Sequence, residues 1–239
     1  MTSFGHPHLH LRSTDSTNDR ARELAEADAP DGTVVTADEQ SAGRGRRGRV
    51  WSAPAGSALL FSGVLRPLEL EHGLLPLAVP VAVCEAIESV APVETMVKWP
   101  NDVWIEGSKA AGVLIEARFP DWAVIGIGVN VSVEPAQFPN DLRWPATSVG
   151  HGIRVETVRE ALCAALTSWT AAPQAEVLTE FRRRDALLGR RLSWEGGDPP
   201  AGSGAGAGVD ERGHLVVELD AGGSVALGSG EVSLRVADE

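Results

Sequence analysis

The stretch Met96-Val97-Lys98-Trp99-Pro100-Asn101-Asp102-Val103-Trp104-Ile105-Glu106-Gly107-Ser108-Lys109-Ala110-Ala111-Gly112-Val113-Leu114-Ile115-Glu116 decides the architecture. Apolar and β-branched residues read as strands over Met96–Trp99, Val103–Ile105 and Ala110–Ala117, and a fourth run follows at Ala123–Val131. The breaks are Pro100-Asn101-Asp102, Glu106-Gly107-Ser108 and Phe119-Pro120-Asp121. Each is a turn composition, and each is too short for a crossover helix. Strands joined this way form an antiparallel meander.

Outward from the meander, strands are expected at Leu9–Arg12, Thr33–Asp38 and Ser57–Leu65. Ser16, with Asp19 three residues later, opens a helix that Ala29-Pro30-Asp31-Gly32 ends. Leu74–Val90 is apolar with helical character. Pro76 and Pro80 place its regular part from about Pro80, where a proline fits the first turn. Glu156–Ala171 and Ala175–Arg184 read as amphipathic helices. After Gly189 short strands take over, at Arg191–Glu195, Leu215–Leu219, Val225–Leu227 and Val232–Val236. Gly196–Gly208 reads as a flexible loop or enlarged hairpin. The class is α+β: a mixed, mostly antiparallel sheet with packed helices over 1–188, then a small β domain over 189–239.

Composition limits the function. Hydrophobic residues are 43% of the 239 and charged residues 23%, enough for a packed core. The net charge of −12 speaks against general nucleic-acid or anionic-membrane binding, which rests on Lys and Arg. Cys84 and Cys163 lie in apolar helical stretches and read as buried thiols of a reducing, cytoplasmic protein. No signal peptide is expected, and no apolar stretch of membrane-spanning length. His6, His8 and His10 alternate, but nothing nearby completes a metal site, so an exposed strand face or frayed end is expected.

Four clusters carry candidate chemistry. Gln40-Ser41-Ala42-Gly43-Arg44-Gly45-Arg46-Arg47-Gly48-Arg49, followed by Trp51, puts four arginines among glycines between two core strands. Such a loop can close over a carboxylate or phosphate, or be a solvated basic turn. Lys98-Trp99-Pro100-Asn101-Asp102 is a hairpin turn with a rim lysine, or a lysine facing a polyanion with Asn101 and Asp102 on ribose or a phosphate-bound metal. Lys109 opens a buried strand with Gly112 three residues on. In Gly126-Ile127-Gly128-Val129-Asn130 alternate glycines in a strand admit close approach of a ligand. Residue types alone leave each of these readings open.

Order and spacing do more. Ser16-Thr17-Asn18, Gly43–Arg49, Lys98–Asp102, Lys109–Glu116 and Gly126–Asn130 together resemble the catalytic domain of biotin–protein ligases, over about Leu11 to Val236. The tail Gly230-Glu231-Val232-Ser233-Leu234-Arg235 resembles the end of that family's small C-terminal β-barrel domain. The resemblance implies a fold like that of class II aminoacyl-tRNA synthetases, and an ATP-dependent ligase. Such an enzyme makes biotinyl-adenylate and pyrophosphate, then transfers biotin to a lysine of the biotin carboxyl carrier domain of an acyl-CoA carboxylase. It implies biotin and ATP as substrates, Mg2+ as helper, and a monomer or homodimer as the working form.

By the same resemblance, Ser16, Thr17, Asn18 and Gln40 line the biotin pocket with Gly43, Gly45, Gly112 and Gly126. Arg44 and Arg46 fold over the biotin carboxylate and adenylate phosphate, which Lys109 also reaches. Lys98 steadies the ATP phosphates. Arg49, Trp51, Asn101, Asp102 and Asn130 stand on the nucleotide side, with no dedicated protein metal site. Lys109, Lys98, Arg44 and Arg46 are the expected catalytic residues. Two features depart from the family pattern: Ala110 where a larger apolar residue is usual, and an insertion-like Gly196–Gly208. About ten residues precede the expected core, too few for the DNA-binding module of the family's repressor members, so no repressor function is expected. The nearest rival is a lipoate or octanoate ligase or transferase; a non-catalytic binding module is a second.

Overall fold

The computed structural model describes residues 3–140, 142, 144–195, 199–228 and 233–236, with 233–235 described by backbone alone. Among them, seven strands form one sheet: β1 (His8–Leu11), β2 (Val34–Ala37), β3 (Ala58–Leu65), β4 (Thr95–Lys98), β5 (Asp102–Ile105), β6 (Ser108–Arg118) and β7 (Trp122–Asn130). Their spatial order is β1-β2-β3-β7-β6-β5-β4. Only β1 and β2 pair in parallel, because helix α1 (Thr17–Glu26) crosses between them. The expected meander is present: Lys98 faces Asp102 across the β4–β5 turn, and β6 pairs with β7 from Ala111↔Val129 to Arg118↔Trp122.

Strands β3 and β7 are buried along their whole length, so both sheet faces are covered. The period of two sends Leu59, Phe61 and Leu65 to one side and Leu60 and Val64 to the other. On one side Ala21 and Ala25 of α1 meet Val35, Val64, Trp122 and Val124. On the other lie α2 (Leu75–Val90), α3 (Val155–Thr170) and α4 (Gln174–Arg183). Ser16 sits at the N-cap of α1 but makes no side-chain capping bond.

Helix α2 begins at Leu75, five residues before the expected start. Pro76 occupies its first turn, and Pro80 is inside. An interior proline removes one backbone bond and costs about 3 kcal/mol. Here Leu77, Ala78, Val79, Val81, Ala82, Val83 and Cys84 are all buried around it, and their burial outweighs that loss. The continuous segment Leu70–Val90 does reach the length and apolarity of a membrane span, contrary to expectation. Most of it is buried against the sheet, α3 and α4, as a core helix is.

A second antiparallel sheet holds β8 (Arg191–Glu195), β9 (Gly202–Val209), β10 (Leu215–Leu219), β11 (Ser224–Leu227) and β12 (Ser233–Val236), in order β11-β10-β9-β8-β12. Its apolar residues Leu192, Trp194, Val209, Leu215, Val217 and Leu227 join the same cluster as α2. Gly230, Glu231 and Val232 of the expected tail motif lie outside the described residues. The Gly-rich segment is corrected in part: 196–198 lie outside the described residues, but Gly202–Val209 is a strand. Its glycines are steric requirements. A Cβ on Gly204 would stand 2.1 Å from Glu218 O, and one on Gly206 2.2 Å from Leu187 O.

Two contacts join this sheet and the last helix to the meander. The Trp99 indole, 1% exposed, donates from Nε1 to Gly213 O at 3.1 Å, on the β9–β10 turn. Edge strand β4 is capped by Arg184–Ala186: Val97 N donates to Arg184 O and Ala186 N to Val97 O. Arg184 bonds Glu88 of α2, Glu180 of α4 and Thr95 of β4. Burial opposes ionisation of Glu88, but hydrogen bonds from Arg184 and Thr95 outweigh it and hold its pKa at about 2.

The β9 geometry gives a test. Gly204→Ala must push strand backbone apart and should cost about 1–3 kcal/mol, read as a lowered melting temperature. A flexible loop would instead tolerate or slightly gain from the alanine, and an unchanged or raised melting temperature would return this segment to a loop.

Candidate functional site

A cleft of about 550 Å³ opens over β3, β7 and β6. The start of α1, the Gln40–Ser52 loop, the β4–β5 turn, and Phe138, Pro139, Leu142, Trp144 and Ala146 wall it. It has an uncharged polar end, an apolar floor and a cationic end.

The polar end is built on Ser62. A lone hydroxyl in the apolar strand Leu59-Leu60-Phe61-Ser62-Gly63-Val64, fully buried, requires a partner. Ser62 Oγ lies 2.8 Å from Thr17 Oγ1 and 2.6 Å from Asn18 Oδ1. Thr17 donates through its backbone N and its Oγ1 to Gln40 Oε1, at 2.7 and 3.0 Å. Asn18 Nδ2 donates to Glu116 Oε2 at 2.7 Å. Amides and hydroxyls are thus oriented in advance at the cleft wall.

The glycines of β7 explain how this fits. A Cβ on Gly126 would fall 2.1 Å from Asn18 Oδ1, and one on Gly128 2.3 Å from the Trp51 indole. The close approach expected of a ligand is made by the chain's own Asn18 and Trp51. Gly112 likewise lies under Lys109 and Trp51.

At the cationic end Asp102 is buried and accepts from Lys109 Nζ at 2.5 Å, while Lys98 Nζ stands 4.0 Å from its other oxygen. Lys109 Nζ is 5.6 Å from the centre of the Trp51 ring. Asn101 receives a 3.3 Å bond from Arg46 Nη1 and donates to Val113 O. Burial first, and Arg47 second, push the Arg46 pKa below its usual value, against Asp102. A guanidinium so placed stays charged and favours an arriving anion.

The arginine–glycine loop is a small hairpin. Gly45 N donates to Arg49 O, Trp51 N to Gly43 O, and Arg44 bridges Val50. Its anchor is electrostatic: Arg44 Nη2 lies 2.8 Å from Asp19 Oδ1 and 3.0 Å from Glu116 Oε2.

Ser16, Thr17, Asn18, Gln40, Arg44, Gly45, Arg46, Arg49, Trp51, Asn101, Asp102, Lys109, Gly112, Gly126 and Asn130 all line this one cleft. Gly43 and Lys98 do not. Gly43 packs behind the wall, where a Cβ would meet Trp51 O and Gln40 Nε2. Lys98, 5% exposed, stands behind Trp144. The Arg44 guanidinium, expected over a carboxylate and phosphate, is instead turned to Asp19 and Glu116. Unforeseen members are Ser62, Glu116 in its hydrogen-bonding role, Asp19, Phe138, Leu142 and Trp144. Ser62 had a signal, its isolation among apolar residues; Trp144 had none. His8 and His10, outside the cleft, bond Thr36 Oγ1 at 2.8 and 3.0 Å.

Gly126→Ala should expel Asn18 and cost about 1–3 kcal/mol in thermal or urea unfolding. Asn18→Ala removes the group it collides with, so the double substitution should cost clearly less than the sum. Strict additivity would mean Asn18 does not sit against Gly126.

The model of the biotin/lipoate A/B protein ligase family matches residues 10–130. A bifunctional ligase/repressor BirA of Bacillus subtilis is 44% identical over 140 residues, which are 56% of this chain. The chain spans 43% of that relative's length. A biotin–[acetyl-CoA-carboxylase] ligase of Mycobacterium tuberculosis is 35% identical over 242 residues, covering 93% of this chain and 86% of the relative. A biotin protein ligase from Aquifex aeolicus, solved with biotin and ATP, superposes with a TM-score of 0.80 at 29% identity, over 97% of this chain and 100% of that one.

Proposed function

The chain belongs to the biotin/lipoate A/B protein ligase family, and from that premise we propose that it is a biotin–protein ligase. It activates biotin with ATP and transfers it to the acceptor lysine of a biotin carboxyl carrier domain of an acyl-CoA carboxylase, in the cytoplasm. The observation that carries this reading is the cleft itself: an oriented amide and hydroxyl end, an apolar floor and a lysine–arginine end in one cavity. Biotin has the matching parts in the same order, a polar ureido ring, an apolar chain and a carboxylate that must meet a phosphate.

In this reading Thr17, Asn18, Gln40 and Ser16 hold the ureido. Gly126 and Gly112 leave room for the groups above them, and Gly43 and Gly45 shape the loop beside the ring. The biotin carboxylate attacks the α-phosphorus of ATP; an O–P bond forms and pyrophosphate leaves. Two anions must approach, and Lys109 and Arg46 offset their repulsion. Lys109 is held ready on Asp102 and trades that carboxylate for phosphate. Lys98 steadies the remaining phosphates, with Arg49, Trp51, Asn101 and Asn130 on the nucleotide side. Arg44 fixes the base of the loop through Asp19 and Glu116, so the part beyond Gly45 closes as a lid and keeps water from the adenylate.

The turn offers one carboxylate, Asp102, and one amide oxygen, on Asn101. Among the described residues no three His, Cys, Asp or Glu converge on a metal. That donor set suits a magnesium ion held mainly by ATP phosphates. When bound, such an ion supplies charge neutralisation at the phosphates. In the second step the neutral amine of the acceptor lysine attacks the mixed anhydride carbonyl. A C–N bond forms, the C–O bond breaks and AMP leaves.

The test is intact-mass spectrometry of a biotin-carrier domain incubated with the protein, ATP, magnesium and either biotin or lipoate. One biotinyl increment, lost when the acceptor lysine is replaced, is expected. A lipoyl increment alone would move the chain to the lipoate branch, and no increment with carriers of several carboxylases would overturn the reading.

Two substitutions sharpen it. Lys109→Ala should slow adenylate formation by about 10²–10³-fold, as loss of one preorganised charge does; an unchanged rate removes Lys109 from the chemistry. Arg46→Gly should shorten the lifetime of bound adenylate, followed by filter retention, and equal retention would mean the loop is no lid.

A further inference from the structure

Glu116 anchors Arg44 in the loop, and its second partner belongs to the opposite device of the site. By the strand period of two, Gly112, Leu114 and Glu116 share one face of β6. Gly112 and Leu114 line the cleft, and Glu116 stands beyond its polar end. A single oxygen, Oε2, accepts from Asn18 Nδ2 at 2.7 Å and from Arg44 Nη2 at 3.0 Å. Arg44 Nη2 also lies 2.8 Å from Asp19 Oδ1. Arg22 closes the ring, 2.6 Å from that oxygen and 3.8 Å from Glu116 Oε1. Two arginines and two carboxylates balance, with the neutral Asn18 tied in. The Glu116 side chain is 29% exposed, and ion pairs so open to water add little to stability.

What the tie decides is the direction of the Asn18 amide. A carboxylate accepts and does not donate, so the amide turns its NH2 to Glu116 and its oxygen inward. Leu114 O, 3.5 Å from Nδ2, is a second acceptor on the same side, at the limit of bonding distance. Asn18 Oδ1 then takes the Ser62 proton at 2.6 Å and stands over Gly126, where a Cβ would come within 2.1 Å of it. An inward oxygen suits a ligand N–H. A reversed amide would set donor against donor and leave both unpaired.

We propose that Glu116 is a positioning residue with two effects from one oxygen: it fixes the Asn18 amide to accept a ureido N–H, and it ties that end of the cleft to the loop through Arg44. The proposal rests on the biotin-ligase reading for the ligand that Asn18 meets. Glu116 touches no reacting atom; it acts through Asn18 and Arg44. A carboxylate that merely balanced surface charge would leave biotin binding unmoved.

The experiment measures biotin binding by calorimetry, the KM for ATP by biotin-dependent exchange with pyrophosphate, and the lifetime of bound adenylate by filter retention. Glu116→Leu should weaken biotin binding about ten-fold or more, the scale of a lost hydrogen bond to a charged group. It should also shorten the adenylate lifetime. The KM for ATP should stay within about two-fold, since Glu116 does not meet that end of the cleft. The melting temperature should fall by no more than about 4 °C, the scale of an exposed ion pair. Glu116→Gln keeps an acceptor for Asn18 but no charge for Arg44, so biotin binding should largely recover while adenylate still escapes faster. Should the leucine variant not fold, that split in the glutamine variant carries the test. Asn18→Ala and Arg44→Ala should be non-additive in adenylate lifetime with Glu116 present and additive without it. Unchanged biotin binding in the leucine variant, an equal rise in the KM for ATP, or coupling of positions 18 and 44 that persists without Glu116 overturns the proposal. No binding of biotin by the unsubstituted protein would instead overturn the biotin-ligase reading beneath it.

Discussion

The carboxylate of Asp102 holds two ammonium groups, Lys109 at 2.5 Å and Lys98 at 4.0 Å, on the turn between two neighbouring strands. Without that carboxylate the lysines would repel each other across a dry wall, at a cost that rises steeply as the surroundings lose water. With it, the two lysines are kept together at the end of the cleft that Arg46 also lines. The turn is itself held from outside: Trp99 is pinned to Gly213 of the small sheet, and β4 is capped by Arg184–Ala186. The second sheet thus supports the cationic end of the cleft as well as extending the core.

The cleft is shaped by close approach. Gly126 and Gly128 lie so near Asn18 and Trp51 that any side chain would collide, and Gly112 makes room for Lys109. The loop above is anchored by charge, through Arg44 on Asp19 and Glu116. These two devices divide the site into a floor fixed by packing and a roof held by ion pairs. Ion pairs partly open to water are weakened by salt, and packing is not.

Much of this was legible in the chain. Pro-Asn-Asp at 100–102 and Glu-Gly-Ser at 106–108 are local turn signals, and they produce the β4–β5–β6 meander. The order of the Gly43–Arg49, Lys98–Asp102 and Gly126–Asn130 clusters brought most of the cleft lining together in advance. What stayed hidden depends on distant partners. The start of α2 was misplaced because burial outweighed Pro80. Gly196–Gly208 reads as a flexible loop or an enlarged hairpin, and the strand β9 within it stays open because its glycines answer to Glu218 and Leu187, outside its own segment. The Arg44 guanidinium was aimed at a ligand because its partners, Asp19 and Glu116, come from elsewhere in the fold. Trp144 itself belongs to no helix or strand, and only the folded sheet brings it to Lys98.

The most direct measurement is a crystal structure of the protein with a non-hydrolysable analogue of biotinyl-adenylate. The bicyclic ring is expected against Thr17, Asn18 and Gln40. The linking phosphate, or its surrogate, should lie within about 3 Å of Lys109 Nζ, with Arg46 folded over it from the loop. A ligand bound outside this cleft, or lying in it with the phosphate at the amide end and the ring among the lysines, would contradict the assignment of the two ends on which the whole mechanism rests.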